Sequence, residues 1–187
     1  CISQLKPFVA IVFPLIVYWL LFDRKEMVSF YGLKIKGTDF KPYFYMLLVM
    51  FPLIFGASFL SDFQDTYPIL KSWKYENYIF GWSAFKISSI FLPIYGLAFF
   101  AVEIAFRGAL VLGMVKLLGD EVILPMVAVY AFLHFGKPLG ETIGSIFGGY
   151  ILGVIALKKQ HILSGFIIDI GVAYLMEVTA FWQYVFN

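Results

Sequence analysis

Four ionisable side chains interrupt otherwise apolar runs of this sequence, and their types could do chemistry: Glu103, Arg107, His134 and Asp169. A charge at bilayer depth costs from about 3 to about 10 kcal/mol or more unless it is paired or hydrated, so each needs a reason. A carboxylate beside an imidazole holds and moves protons, which is the basis of general acid–base catalysis. These four are therefore the first candidate functional residues.

Glu103 and Arg107 are four residues apart, which places both on one face of a helix. The spacing predicts an ion pair that faces the protein interior, and this structural role alone accounts for both residues. Asp169, in the run Gly165–Gly171, has two interpretations. It either pairs with Arg107 or His134 or is held protonated, or it orients His134 or contacts a substrate.

His134 begins the sequence His-Phe-Gly-Lys-Pro at the end of an apolar run. A single histidine is most often a satisfied core or interface residue. Its pKa near neutrality also suits proton transfer. Both interpretations stay open from the sequence.

The composition predicts an all-α integral membrane protein that forms one domain over residues 1–187. Of the 187 residues, 61% are hydrophobic and only 14% are charged, with a mean hydropathy of +0.87. Soluble domains have about half their residues apolar and about a quarter charged, and a small domain cannot bury such an excess. The basic residues are dispersed among loops and do not indicate a nucleic acid partner. The predicted partner is the lipid bilayer.

The apolar runs predict a polytopic bundle of about six transmembrane helices. A spanning helix needs ~20 apolar residues, and several runs are shorter, which indicates tilted or protein-buried helices. Lys and Arg are concentrated in the loops after the first, third and fifth runs, which places the N-terminus outside. The predicted spans are Pro7–Phe22, Pro42–Leu60, Ile87–Leu118, Val122–Phe135, Thr142–Leu157 and Ile162–Phe181.

Three further features concern packing and the chain ends. The fifth run has two small-xxx-small repeats, Gly144/Gly148 and Gly149/Gly153, which allow close helix approach in lipid. The aromatic-rich segment Ser61–Phe80 is typical of a membrane interface, or of a surface loop packed on the bundle. Cys1 is the only cysteine, so no internal disulfide forms. The chain begins with Cys1 and not with Met, and we expect that residues upstream of Cys1 are missing, through processing or because the sequence is partial. The less favoured alternative is a lipid-modified N-terminal cysteine left by signal-peptide cleavage.

Two motifs resemble those of the CAAX-protease and bacteriocin-processing (CPBP, or Abi) family of intramembrane proteases. Glu103-Ile104-Ala105-Phe106-Arg107-Gly108 resembles the first motif, Glu-Glu-x-x-x-Arg, and Tyr130-x-x-x-His134 the second, with Tyr in place of Phe. The resemblance extends over Ser29–Met176, including Tyr31-Gly32-Leu33. It implies a CAAX-protease-like helical fold and a Glu/His pair that activates water for attack on a peptide carbonyl.

The chain departs from the family pattern at two places. Val102 stands where the first Glu of the motif belongs, and Asp169 where the family has an oxyanion-stabilising His. A carboxylate there opposes an oxyanion. The stretch from His134 to Glu141 matches a single-Glu subgroup with the pattern His-x-Gly-Lys-Pro-x-x-Glu. In such a member Glu103 or Glu141 is the base beside His134, so the candidate catalytic residues are Glu103, Arg107, His134, Glu141 and Asp169.

Three functions follow as hypotheses. The first is an intramembrane endopeptidase of the bacterial inner membrane that takes a membrane protein or peptide as substrate. The second is a catalytically degenerate relative that acts as a scaffold or subunit of a membrane complex. A transporter is least favoured, because no inverted repeat is visible. No cofactor is predicted. His134, Glu103, Glu141 and Asp169 are metal-ligand types, but HExxH or comparable spacing is missing.

Overall fold

The structure is a computed structural model that describes residues 2–25, 29–34, 38–75 and 81–186. Cys1 and the predicted interfacial residues Tyr78 and Phe80 lie outside these ranges. Within them all regular secondary structure is helical and no strand occurs, which confirms the predicted helical class.

Eight α-helices form the described chain, and two of them continue as π-helices. The π segments are Trp19–Asp23 after the first helix and Ile104–Gly113 after the fourth. Short 3₁₀-helices cover Phe30–Gly32, Ser72–Tyr75 and Gly119–Val122. The α-helices are α1 (Ile2–Tyr18), α2 (Lys41–Ala57), α3 (Ser61–Thr66), α4 (Ala84–Glu103), α5 (Val115–Leu118), α6 (Ile123–Phe132), α7 (Leu139–Lys159) and α8 (Leu163–Phe186).

Among the described residues, three helices are long and apolar enough to cross a membrane: Ala84–Gly113, Leu139–Lys159 and Leu163–Tyr184. The other predicted spans fall on shorter apolar helices. At 1.5 Å per residue, the 10 residues of α6 reach only about half of a hydrocarbon core that is about 30 Å thick. Large apolar side chains on α2 are exposed, among them Phe44, Val49 and Leu53, as suits a surface that faces lipid.

Helices α4 and α8 are antiparallel neighbours. Gly165 near the start of α8 lies against Glu103 at the end of α4. About two and a half turns further along α8, the Tyr174 hydroxyl donates to the Leu92 carbonyl at 2.8 Å. The start of α4 therefore lies beside the end of α8.

Helices α6 and α7 pack closely along one of the two predicted glycine pairs. A methyl group added at Gly153 would lie 2.7 Å from Met126 Cε, and one at Gly149 would lie 3.0 Å from the Tyr130 ring. No atom of the described residues lies within 4 Å of such a group at Gly144 or Gly148. The predicted close approach is thus confirmed for Gly149/Gly153 and not for the other pair.

The largest buried cluster surrounds the π segment Ile104–Gly113. Tyr31 and Gly32 adopt positive φ angles of 44° and 78°, and this turn fits against Gly108, where an added Cβ would lie 2.8 Å from Tyr31 Cβ. The Gly32 carbonyl accepts from the Ile162 N–H at 3.1 Å. The turn therefore contacts both the π segment Ile104–Gly113 and the start of α8.

The described part of the aromatic segment after α2 packs on the bundle. Phe63 and Tyr67 are buried, and Trp73 stacks on Tyr184 of α8 with a centroid distance of 3.9 Å. The described part of this segment therefore packs on the bundle, and its place at a membrane interface stays a prediction.

Candidate functional site

Arg107 brings three of the predicted site residues together. Its fully buried guanidinium lies with Nη1 2.5 Å from Glu103 Oε1 and 3.4 Å from Asp169 Oδ2. The predicted Glu103–Arg107 ion pair is present, and it joins α8 to the end of α4 through Asp169. Glu103 ends the α-helix and Arg107 lies in the π segment that follows, a geometry common at functional sites.

Tyr130 of α6 completes this buried cluster, which we define as Glu103, Arg107, Tyr130 and Asp169. The Tyr130 hydroxyl donates to Asp169 Oδ2 at 3.0 Å, and its ring faces the Arg107 guanidinium at 4.3 Å, a cation–π contact. Asp169 thus pairs with Arg107, one of its two predicted partners. His134 is not among the hydrogen-bond or ion-pair partners that the described residues give Asp169.

Several atoms of the buried cluster have no hydrogen-bond partner in the described part of the chain: Glu103 Oε2, Arg107 Nε and Arg107 Nη2. Gly165 faces the Glu103 carboxylate, and only a residue without a side chain leaves room for it there. The described contacts hold Glu103 against Arg107 and Gly165, and they include no hydrogen bond or ion pair between Glu103 and His134.

His134 belongs to a second group, the loop cluster, which we define as Tyr67, His134, Lys137 and Glu141. His134 Nε2 lies 4.0 Å from Glu141 Oε1. Lys137 donates to the same oxygen at 2.6 Å, and the Tyr67 hydroxyl donates to Glu141 Oε2 at 2.6 Å. Glu141 also lies in the first turn of α7, where the helix dipole stabilises a negative charge.

The tautomer of His134 follows from its backbone contact. Nδ1 lies 3.0 Å from the Tyr130 carbonyl oxygen. A carbonyl only accepts, so Nδ1 carries the proton in this contact and the lone pair of Nε2 faces the Glu141 side. Burial lowers the pKa of His134 below its ordinary value of 6.5. The Lys137 charge also lowers this pKa, while the hydrogen bond to the Tyr130 carbonyl and the Glu141 charge partly raise it again. The lowered pKa favours the neutral ring, whose Nε2 is able to accept a proton.

Tyr130 connects the two clusters. Its hydroxyl and ring contact Asp169 and Arg107, while its carbonyl and ring contact His134, with 4.8 Å between ring centroids. The buried cluster therefore fixes the position of the helix end from which His134 projects.

The Glu103–Arg107 ion pair is less exposed than the charged side chains of the loop cluster. The Glu103 and Arg107 side chains are 0% exposed and Asp169 is 12% exposed. His134 and Glu141 are each 15% exposed and Lys137 is 36% exposed. His134, Lys137 and Glu141 are therefore partly accessible, whereas Tyr67 and Glu103 are buried.

No protein-family model, curated protein or solved structure matches the chain. The described residues contain no group of three or more His, Cys, Asp or Glu side chains placed to hold a metal ion. What they do contain is a neutral imidazole facing a carboxylate, next to an ammonium group.

Sequence reasoning missed two residues that organise the site. Tyr67 donates a hydrogen bond to Glu141, yet in the sequence nothing distinguishes it from the many other aromatic residues. Glu177 lies inside an apolar run like the four residues singled out above, and its carboxylate accepts from the Ile69 N–H at 2.9 Å. The criterion that selected Asp169 also selects Glu177, which holds the segment that carries Tyr67.

Proposed function

We propose that this chain is a multi-pass peptide hydrolase of the bacterial inner membrane that resembles the CPBP intramembrane proteases. About six helices enter or cross the bilayer, with the N-terminus outside. The three long apolar helices and the lipid-type surface of α2 support the membrane placement. The two sequence motifs support the family.

The arrangement of His134 and Glu141 carries the proposal. The 4.0 Å between Nε2 and Oε1 is too long for a direct hydrogen bond and suits a bridging water. Such a water donates one hydrogen to Nε2 and the other to the carboxylate. Its oxygen lone pairs then point away from both groups and are free to attack.

The reaction is hydrolysis by general base catalysis. The water oxygen attacks the peptide carbonyl carbon as its proton passes to His134 Nε2, and Glu141 stabilises the imidazolium. The Lys137 ammonium is the nearby cation for the oxyanion. The tetrahedral intermediate collapses, the C–N bond breaks, and Nε2 returns the proton to the leaving amine. Such proton transfer contributes roughly 10²- to 10⁴-fold in rate.

In this mechanism Glu103, Arg107 and Asp169 are positioning residues. They hold Tyr130, and Tyr130 holds the ring of His134 through its carbonyl. Of the two carboxylates that the sequence leaves as partners for His134, the proposal takes Glu141, because Glu103 faces Arg107.

The alternative is a non-catalytic subunit of a membrane complex. One observation favours it: Glu103, one of the two carboxylates that the resemblance leaves as the base, is fully buried and ion-paired. This function predicts a stable partner after gentle extraction, and a phenotype that does not depend on His134.

Cleavage of membrane peptides by the purified chain tests the proposal. His134→Ala and Glu141→Gln should each lower the rate roughly 100-fold or more, because each removes part of the proton relay. His161→Gln is the control, since it alters the only other histidine in a loop at the far end of α7. Cleavage by His134→Ala at the wild-type rate would refute the hydrolase. An inactive wild type that copurifies with a stable partner would establish the alternative.

A further inference from the structure

A cavity of about 290 Å³ lies beside the loop cluster and is not used by the proposed reaction. Its walls come from α3, from the chain around the 3₁₀-helix Ser72–Tyr75 and from the end of α8. The lining residues that define its chemistry are Gln64, Tyr67, Lys71, Trp73, Lys74 and Tyr184.

The cavity is positively charged. Lys71 and Lys74 both line it, and no carboxylate is among the described lining residues. Neither lysine makes an ion pair with a carboxylate in the described ranges of the chain. Two lysines therefore line one space and give it positive charge, which favours an anion. The Gln64 side chain also lines it, and its amide already donates to the Ser58 carbonyl at 3.1 Å.

The cavity also lies at a membrane edge. Tyr184 lies in the last turn of α8, at the end of one of the three long apolar helices, and Trp73 is stacked on it at an interplanar angle of 10°. Trp and Tyr concentrate where hydrocarbon meets headgroups, and Lys at this depth attracts anionic lipid. At this depth the phosphates of lipid headgroups are the anions with the highest local concentration around the cavity.

We propose that this cavity binds the phosphate of an anionic phospholipid headgroup, with Lys71 and Lys74 as its cationic contacts and the Trp73–Tyr184 pair against the glycerol region. The proposal rests on the membrane placement of α8 and not on catalysis. Because Tyr67 lines the cavity and also holds Glu141, a bound lipid contacts the residue that positions the loop cluster.

Fluorescence quenching by brominated lipids tests this site. The full chain is reconstituted into phosphatidylcholine vesicles that contain either brominated phosphatidylglycerol or brominated phosphatidylcholine. Tryptophan quenching by the anionic lipid should reach half saturation at a lower mole fraction than quenching by the zwitterionic lipid. Each lysine near the surface contributes roughly fivefold in affinity, so Lys71→Gln/Lys74→Gln should weaken the anionic preference by about 25-fold.

Lys158→Gln/Lys159→Gln is the matched control, because it removes two lysines at the opposite end of the bundle. Equal weakening in both double variants, or none in Lys71→Gln/Lys74→Gln, would overturn the proposal. Displacement of the lipid by inorganic phosphate at constant ionic strength would show a site for free phosphate instead. Displacement by an acidic peptide would show a peptide site. A chain that does not enter vesicles refutes the span of α8, which is a separate result.

Discussion

Arg107 has two carboxylates and a phenol around it and is fully buried. Buried ion pairs often contribute little net stability, because desolvation offsets the Coulomb attraction. Removal of one partner, however, leaves an uncompensated buried charge and costs about 3–5 kcal/mol. The cluster is therefore most sensitive to loss of its only cation.

Arg107→Met should destabilise the fold by about 3–5 kcal/mol, because Glu103 and Asp169 then face each other without a cation. Unfolding in detergent, followed by circular dichroism, measures the loss. Glu103→Gln/Arg107→Met removes one carboxylate with the cation, while Asp169 keeps the Tyr130 hydroxyl. The double variant should be the more stable of the two, and a double variant as unstable as the single one contradicts the pairing.

Gly165 is a second sensitive residue, since an added methyl group meets the Glu103 carboxylate. Gly165→Ala should cost about 1–3 kcal/mol through overpacking. Gly144→Ala is the control on a neighbouring span, because no described atom lies near the new methyl group. It should be neutral or stabilising by up to about 1 kcal/mol. Equal destabilisation of both variants in the same unfolding assay would argue against the α4–α8 contact.

At the scale of elements, the connections between helices hold the site. The segment after α3 is attached at two points, with Tyr67 donating to Glu141 of α7 and Ile69 to Glu177 of α8. Burial and the neighbouring Glu141 raise the pKa of Tyr67, so its hydroxyl stays protonated and remains a donor. The opposite connection, between α7 and α8, carries His161.

The stability of the fold should fall on acidification, in part through His161. Burial lowers the pKa of His161 below 6.5, and Lys159 and Lys34 lower it further. Between the lowered pKa and about 6.5 the unfolded chain binds more protons than the folded one, so stability rises with pH there and is lost as pH falls. His161→Gln should therefore lose less thermal stability than wild type between about pH 7.5 and about pH 5. An unchanged pH dependence would show that the pKa of His161 is the same in the folded and the unfolded chain, and would contradict this prediction.

At the scale of the whole molecule, the antiparallel packing of α4, α7 and α8 defines two ends. One end holds the start of α4, the start of α7 and the end of α8, and with them the loop cluster and Lys74. The other end holds Gly113 and the turn from Lys159 to Leu163. If the three helices span, these ends lie on opposite sides of the membrane.

Cysteine labelling in sealed vesicles measures this arrangement. In a Cys1→Ser background, Lys74→Cys and Lys137→Cys should react with a membrane-impermeant maleimide from the same side, and Lys158→Cys from the other. Reaction of Lys74→Cys and Lys158→Cys from one side would contradict the spans. Labelling of Lys137→Cys from the same side as Lys158→Cys would instead place the loop cluster at the opposite end of the molecule.

The sequence by itself determined the helical class, the presence of helices long and apolar enough to cross a membrane, and the pairing of Glu103 with Arg107. Each depends on local properties, since hydrophobic composition sets the preferred solvent and i, i+4 spacing sets the helix face. The resemblance to a protease family was also visible there, as a hypothesis about function.

Only the tertiary structure decided which polar groups meet. Asp169 is 62 residues from Arg107, and Tyr67 is 74 residues from Glu141, so neither contact follows from spacing along the chain. Likewise, the two glycine pairs of α7 look alike in sequence, yet among the described residues a neighbouring helix packs against Gly149/Gly153 and not against Gly144/Gly148. Which face of a helix is covered depends on the packing of every other helix, and that is a property of the folded chain as a whole.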